Sequence, residues 1–312
     1  MERPTGPAVY AAFVLDLLRE SGEVDVVGGR RAAGADVVLS LDGRFRARRG
    51  QRTVTAVLDL GHLFERGGYG PAEWLRLNWR VASAVRRSDH LLAPSDAVAF
   101  GLQRYLRAPA ERVTVLAATP RPGFRRPPRE AVDALRRELG LPPRYFLFVG
   151  TRPRRKNLDL LAAAWSRATA GLGPDVGLVL AGPGRGPAGA TRDLGWVGLE
   201  RLPALIAGAI AWVNPSLYEG SPVGALEALA CGTPALVAGT GAQPRAVGLA
   251  GLVLDPHDPR QWAEALVAVA CHEDLRPRLS AAALRAAADV RDARPSPESL
   301  LRALRGEGAA GT

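Results

Sequence analysis

Short apolar runs typical of β-strands alternate with amphipathic helical patterns along the chain, and this alternation constrains the fold more than any other feature. The series runs twice, on either side of 120–128, a proline- and arginine-rich segment typical of a linker. The predicted strands are 24–27, 36–41, 53–58, 90–94, 113–117, 145–150, 176–182, 209–214, 234–238 and 251–254, with helices predicted near 7–20, 71–87 and 95–107. Repeated units of this kind predict two doubly wound α/β domains with parallel sheets.

We expect an N-terminal domain over 1–128, a C-terminal domain over 129–290 and a C-terminal helix or tail over 291–312. The first helix follows Pro4-Thr5-Gly6-Pro7 directly. A glycine turn that feeds a helix in such folds normally follows a buried strand, and only three residues precede this one. The first strand of the first domain is therefore expected to be missing, either because the start is truncated or because the first sheet lacks a central strand.

Composition narrows the class of protein. No apolar run reaches the roughly 18–20 residues of a membrane helix, and the start does not resemble a secretion signal, so we expect a cytoplasmic protein. Residues 1–128 contain 20 arginines against 13 acidic residues. That surplus suits an anionic acceptor or peripheral contact with an anionic membrane, but a solvated arginine-rich surface is the preferred explanation. Nucleic acid is not expected, because the arginines are dispersed and lack interleaved aromatics.

The most informative motif lies between Asn214 and Pro234, where Glu219 and Glu227 stand eight residues apart. Glu219 ends the loop after a strand, and Glu227 lies inside the helix that follows. Four residues between them would present backbone N–H groups to an anion at the helix N-terminus: Gly220, Ser221, Val223 and Gly224. A carboxylate one turn further along can accept two hydrogen bonds from a ribose diol. The arrangement therefore suits a nucleoside diphosphate attached to a sugar.

A second motif follows the predicted strand at 145–150, where a basic loop leads into a helix near Asn157. Lys156 in this loop is the only lysine of the chain. Because arginine has replaced lysine everywhere else, a compact ammonium is indicated here, as for contact with a diphosphate. A solvated basic turn is the alternative, and the neighbouring two-carboxylate motif disfavours it.

These segments resemble the donor-binding domain of family 4 glycosyltransferases, of group 1 type, which have the GT-B fold: two Rossmann-like domains facing across a cleft. The resemblance rests on EGSPVGALEALACGTP, VGTRPRRKN, LVLAGPG and DLGWVGLERLPALIAGAIAWVNPS at 219–234, 149–157, 178–184 and 193–216. Weaker similarity extends upstream through LLAPSDAV, VTVLAATPRPGF and TGPAVYAAFVLDLL.

The resemblance implies roles for individual residues. Lys156, with Arg155 beside it, would neutralise the donor diphosphate, and the amides of the glycine-rich loop would complete that site. Glu227 would hold the ribose, Glu219 the transferred sugar, and the backbone of Val197 the base. Members of the family retain anomeric configuration and need no metal or other cofactor, so none is expected here.

Three positions depart from the family pattern, and one of them is Arg245, which stands where a glutamate is common. Leu58 stands where the family usually has a histidine after an N-terminal strand, and His62 is a candidate catalytic substitute. Thr151 stands where an arginine often precedes the diphosphate lysine, and Arg152 or Arg155 is expected to replace it.

The sequence thus predicts a retaining glycosyltransferase that moves a sugar from a nucleoside diphosphate to a glycan or lipid-linked acceptor. The alternative is a non-catalytic nucleotide-sugar-binding partner of an active transferase, which Leu58 and the short start favour. An epimerase or phosphorylase on the same fold is a third reading, because fold does not fix function.

Overall fold

The structure, a computed structural model, describes residues 6–27, 34–41, 43, 47–187 and 189–307. The chain divides into two compact units. The first unit consists of Met1–Thr119 and Ala293–Thr312, and the second of Pro120–Asp292. Compared with the expected boundaries, the linker at 120–128 belongs to the second unit and most of the C-terminal segment belongs to the first.

The described residues contain ten strands, which form one four-stranded and one six-stranded sheet. They are β1 Val37–Ser40, β2 Arg52–Ala56, β3 His90–Ala93, β4 Val113–Val115, β5 Arg144–Val149, β6 Val176–Ala181, β7 Arg192–Asp193, β8 Ala211–Asn214, β9 Ala235–Ala238 and β10 Gly251–Leu254.

Twelve α-helices accompany these strands in the part of the chain that the structure describes. They are α1 Gly6–Ser21, α2 Gly61–Phe64, α3 Pro71–Arg87, α4 Asp96–Leu106, α5 Arg129–Glu138, α6 Leu158–Ala168, α7 Leu202–Ala207, α8 Val223–Ala230, α9 Gln243–Val247, α10 Pro259–Cys271, α11 Leu275–Asp292 and α12 Pro297–Arg305. Within the described ranges, no helix has the length and apolar character needed to cross a membrane.

In the first unit, β1 to β4 are parallel and neighbour one another in chain order. The strand predicted at 24–27 is wrong: these residues form no strand, and Val26 is 53% exposed. Valine-rich sequence favours extended backbone, but a strand also needs a hydrogen-bonded neighbour and a face to bury. Pro4 and Thr5 of the expected glycine turn lie outside the described residues.

The C-terminal helix α12 packs against α1, β2 and β3, which explains why it belongs to the first unit. Two ion pairs reinforce this contact, Arg294 with Glu20 at 2.8 Å and Arg305 with Glu23 at 2.5 Å. No local sequence pattern predicts these pairs, because their partners lie more than 270 residues apart.

In the second unit, the strand order is β10-β9-β8-β5-β6-β7, and every pairing is parallel. The chain builds outward from β5 to β7 on one side and from β8 to β10 on the other. This is the doubly wound order, in which ligands bind beyond the carboxyl ends of the two strands where the direction reverses. That position lies between β5 and β8. Strand β7 has only two residues, too few to produce a recognisable pattern.

Strand β5 is the centre of the core because its alternate side chains pack on opposite faces. Phe146 and Phe148 belong to the apolar cluster that includes Trp165 of α6 and Trp262 of α10. The intervening Leu147 belongs to the cluster formed with α7, α8 and α11. Burial on both faces holds the carboxyl end of β5 in place.

The ends of β5 and β6 approach each other so closely that glycine is required. Gly182 has φ +116°, and a Cβ on it would lie 2.2 Å from the carbonyl oxygen of Gly150. Any larger residue at this position therefore has to displace backbone at the ligand-binding end of the sheet.

We expect Gly182→Ala to lower the free energy of unfolding by about 2 kcal/mol or more, because a strained backbone conformation and a backbone clash add. Gly123→Ala is the matched control: φ is +90° there, but nothing lies within 4 Å of the added Cβ. Urea unfolding of both variants measures the difference. Equal losses of unfolding free energy in the two variants would show that the close contact between Gly182 and the Gly150 carbonyl does not add to the cost of the substitution.

Candidate functional site

The loops that follow β5 and β8 are bonded to each other at the point where the strand order reverses. The carbonyl of Arg155 accepts from the N–H of Leu217 at 2.9 Å. The Asn157 side chain donates to the carbonyls of Pro215, at 3.2 Å, and Pro256, at 2.8 Å. Asn157 adopts a left-handed conformation with φ 54°, which asparagine tolerates better than most residues. It thereby fixes the residue before it, Lys156.

Lys156 and Glu219 form an ion pair in which Nζ donates to Oε1. Their side chains are only 13% and 12% exposed. Asn214 Nδ2 also reaches Oε1, at 3.4 Å, and Arg155 Nη1 lies 3.7 Å from Oε2. The structure therefore brings together three residues that the sequence placed at the donor phosphate and sugar.

The charge state of Glu219 is set by these cations. Burial alone would raise the pKa of Glu219, but the charges of Lys156 and Arg155 and hydrogen bonds from Lys156 and Ser216 outweigh it and lower the pKa to about 2. The carboxylate is ionised at neutral pH and can only accept hydrogen bonds, as binding of sugar hydroxyls requires.

The backbone of Glu219 is held by the loop after β9. Its carbonyl accepts from the N–H of Ala242 at 2.8 Å. Gly241, with φ +57°, lies so close that a Cβ there would be 2.3 Å from the same carbonyl oxygen. Sequence reasoning missed Gly241, because only the fold brings it to Glu219.

The predicted anion-binding amides lie at the start of α8, which begins at Val223. Gly224 packs on the buried ring of Trp212, and a Cβ on it would lie 2.9 Å from that ring. Ser221 Oγ is buried and forms no hydrogen bond with the rest of the described structure. An unsatisfied hydroxyl beside a helix N-terminus is a suitable donor for a phosphate oxygen. Gly220 precedes it in the same loop.

Glu227 lies on α8, 3% exposed, and is held by a residue that sequence reasoning missed. Arg121 donates to both carboxylate oxygens, from Nε to Oε1 and from Nη2 to Oε2 at 2.8 Å. Burial raises the pKa of Glu227, and the bonds and charge of Arg121 oppose that rise. The one signal in the sequence was an arginine between two prolines in a segment that looked like a linker.

Val197 is buried, 8% exposed, beyond the end of β7. The loop before it is fixed by Arg152, which donates to both oxygens of Asp193 at 2.5 and 2.6 Å and to the carbonyl of Gly184. Arg152 is thus paired with Asp193, whereas Arg155 lies beside Glu219. The replacement of the arginine expected at Thr151 by one of these two residues stays a prediction.

His62 lies in the first unit, on α2, whereas every other predicted site residue lies in the second. It is 2% exposed, its ring packs edge-on against Tyr69, and burial lowers its pKa to about 4. Its Nε2 is buried without a hydrogen-bond partner among the described residues. The imidazole is therefore neutral at neutral pH, and its catalytic role stays a prediction.

The site lies where the strand order reverses and combines a buried ion pair with close glycine contacts. Residues 143–272 match the model of the family described as group 1 glycosyl transferases. These residues are a group 1 glycosyl transferase domain. The ion pair of Lys156 with Glu219, and the whole of α8, lie within it.

Curated relatives extend the similarity beyond the group 1 domain. O-antigen chain mannosyltransferase B of Escherichia coli is 31% identical over 223 residues, which is 67% of this chain and 58% of that protein. D-inositol 3-phosphate glycosyltransferase of Thermobispora bispora is 35% identical over 227 residues, which is 64% of this chain and 52% of that protein. The chain thus spans little more than half the length of either relative.

Solved structures confirm the fold class. WaaG, a glycosyltransferase involved in lipopolysaccharide biosynthesis, superposes with a TM-score of 0.71 at 20% identity, over 100% of this chain and 85% of that one. HepE of Anabaena in complex with UDP-glucose gives 0.68 at 17%, over 97% and 83%. The fold is GT-B, built from two parallel-sheet α/β domains.

In the part of the chain that the structure describes, no three His, Cys, Asp or Glu side chains cluster as metal ligands. The expectation that neither metal nor cofactor is needed stays a prediction.

The ion pairing of Glu219 in the group 1 domain predicts a particular loss of stability in acid. Because the folded state lowers its pKa from 4.5 to about 2, Glu219 contributes stability that is complete above the unfolded value and is lost as the pH falls towards the folded value. Glu219→Gln should therefore remove up to about 1.4 kcal/mol per pH unit from the pH dependence in that window. Urea unfolding between pH 5 and pH 3 measures this, and parallel curves for the two proteins would contradict it.

Proposed function

We propose that this protein is a retaining, metal-independent family 4 glycosyltransferase that moves a sugar from a nucleoside diphosphate sugar to a glycan or lipid-linked acceptor. The observation that carries the proposal is the ion pair of Lys156 and Glu219 at the strand reversal of the group 1 domain. Support comes from relatives named as glycosyltransferases and from the similar fold of a protein whose structure contains UDP-glucose.

In the proposed reaction, the donor diphosphate takes the place of Glu219 as the partner of Lys156. An ammonium and a guanidinium next to a dianionic diphosphate lower its free energy, and more so as negative charge develops during departure from the sugar. The freed carboxylate of Glu219 then accepts hydrogen bonds from the sugar hydroxyls. Ser221 Oγ and the amides of Gly220, Val223 and Gly224 complete the phosphate contacts.

The remaining predicted residues bind the nucleoside. Glu227 accepts from the ribose hydroxyls and the backbone of Val197 contacts the base. An oxygen of the leaving phosphate takes the proton of the acceptor hydroxyl on the face of the sugar from which the diphosphate departs. The anomeric configuration is therefore retained. Glu219 and Glu227 have different tasks, unlike the acid and nucleophile of a glycosidase.

We expect Lys156→Ala to weaken nucleoside diphosphate binding roughly 10- to 150-fold, because it removes a charge-assisted contact worth about 1.5–3 kcal/mol. Arg154→Ala is the matched control, since Arg154 is an exposed cation in the same 3₁₀ turn, Arg154–Lys156. Thermal-shift titration with UDP, GDP, ADP and dTDP, without metal and with magnesium, measures the binding. No stabilisation of the folded wild-type protein by any of the four would reject the proposal.

We also propose that the first unit contacts an anionic membrane surface, where a lipid-linked acceptor would be presented. An exposed aromatic cluster supports this: Phe64, Phe100 and Tyr105 are 43%, 59% and 53% exposed. The rings of Phe64 and Tyr105 lie 5.2 Å apart, and the Arg104 guanidinium lies 5.9 Å from Tyr105. Aromatic rings beside arginine suit the interface between lipid headgroups and acyl chains.

Replacing one aromatic residue of the cluster, Phe100, together with the neighbouring Arg104 should weaken membrane binding. We expect Phe100→Ser combined with Arg104→Gln to reduce co-sedimentation with phosphatidylglycerol vesicles about fivefold or more, since one arginine near such a surface contributes about 1 kcal/mol. Leu249→Ser is the control, because Leu249 is 90% exposed in the second unit. Equal binding to pure phosphatidylcholine vesicles, or equal loss in the control, would reject the contact.

A further inference from the structure

Arg121 and Glu227 form a bidentate ion pair in the second unit that the sequence did not predict. Nε and Nη2 of the guanidinium bond the two carboxylate oxygens side-on. The side chains of Arg121 and Glu227 are 21% and 5% exposed. A planar guanidinium bound at two points fixes both the position and the rotation of the carboxylate.

The carboxylate needs this partner because its surroundings are apolar. The helix α8 buries Ala225, Leu226, Ala228 and Leu229 around it, and an unpaired ionised carboxylate in such a place is strongly disfavoured. Cys231, the residue that follows α8, is buried as well, and burial together with the charge of Glu227 raises its pKa to about 12. The thiol therefore stays neutral and adds no second negative charge beside Glu227.

Helices packed against α8 also carry charged side chains. They are Arg245 of α9, and Arg276, Arg278, Arg285, Asp289, Arg291 and Asp292 of α11, whereas α7 has none. Arg121 is the residue whose fork meets both oxygens of Glu227.

Other contacts besides the one with Glu227 hold Arg121 in place. Its guanidinium carbon lies 4.8 Å from the centre of the Phe124 ring, a cation–π contact. The carbonyl of Arg121 accepts from the N–H of Phe124 at 3.2 Å. Proline on either side restricts the backbone, because Pro122 confines Arg121 to extended conformations and the φ of Pro120 is fixed. Little conformational freedom is left to lose when the ion pair forms.

We propose that Arg121 is a positioning residue of the donor site, which orients Glu227 and keeps it ionised so that its remaining lone pairs accept the ribose hydroxyls. A side-on guanidinium uses one lone pair on each oxygen, and a carboxylate has about four acceptor sites, so each oxygen can still accept one hydroxyl. This inference rests on the proposed nucleotide-binding function.

Loss of Arg121 changes the protonation of Glu227 in a defined direction. Burial already raises the pKa of that carboxyl, and without the cation it rises further. A protonated carboxyl is a poorer acceptor for a diol. Ribose recognition in an Arg121 variant should therefore weaken, and it should improve as the pH rises through the raised pKa and Glu227 ionises.

The test compares ribonucleotides with their 2′-deoxy analogues by isothermal titration calorimetry. The probes are UDP, GDP and ADP and the three corresponding 2′-deoxynucleoside diphosphates. The proteins are wild type, Arg121→Met, Arg121→Lys and the matched control Arg144→Met, whose arginine pairs with Asp175 at the opposite end of β5. Measurements run at pH 6, 7, 8 and 9, with the fold checked by circular dichroism.

We expect Arg121→Met to weaken the preferred ribonucleotide at least tenfold at pH 7 and its deoxy analogue less than twofold, with partial recovery at pH 9. Arg121→Lys should lie between, and Arg144→Met should match the wild type. Tighter ribonucleotide binding by Arg121→Met would show that Arg121 competes with ribose and would overturn the proposal. Equal losses for both sugars at every pH would also overturn it, because they indicate a merely structural role.

A second measurement needs no nucleotide and separates this inference from the proposed function. If Arg121 keeps Glu227 ionised, Arg121→Met should lose stability as the pH rises from 5 to 8, because the folded state then holds a proton that the unfolded state releases. Adding Glu227→Gln should abolish that decline. If the decline persists, the link between Arg121 and Glu227 is refuted. If it disappears while wild type binds no nucleoside diphosphate, the proposed function fails and the ribose part of the inference with it.

Discussion

The reversal of strand order between β5 and β8 is the constraint on which the rest of the second unit depends. These strands pair directly, Phe146 with Ala211 and Leu147 with Trp212, although more than 60 residues separate them in the chain. Two loops from distant parts of the sequence therefore leave the same edge of the sheet side by side. A cation from one and a carboxylate from the other meet because the sheet has this order, and no local sequence preference could bring them together.

The site is assembled from ion pairs in which each charged side chain is neutralised by its partner. Lys156 holds Glu219, Arg121 holds Glu227, and Arg152 holds Asp193. Each pair removes charges from water, which opposes folding, and a single member left alone would oppose it more. A ligand that replaces one member with its own anion or hydroxyls therefore enters a pocket whose charges are already oriented.

The sequence predicts the sheets well where strands are long, apolar and buried, as in β5 and β6, because a strand buried on both faces is a continuous hydrophobic run in the sequence. It fails at 24–27, where the residues favour extended backbone but form no strand. It also fails at β7, where two residues carry no pattern. The residues Asn157, Gly241 and Arg121 escaped notice because their importance arises from contacts with distant parts of the chain. Lys156 was found from usage across the whole chain, without any knowledge of its neighbours.

That usage has a practical chemical consequence. In a chain whose side-chain amines number one, a reagent selective for amines can modify only the α-amino group and Lys156. The Lys156 side chain is 13% exposed and its ammonium is paired with Glu219. Acylation therefore requires that the ion pair separates and that the ammonium loses a proton. The rate of acylation at Lys156 consequently measures how often the ion pair of Lys156 with Glu219 separates, and the measurement needs no engineered label.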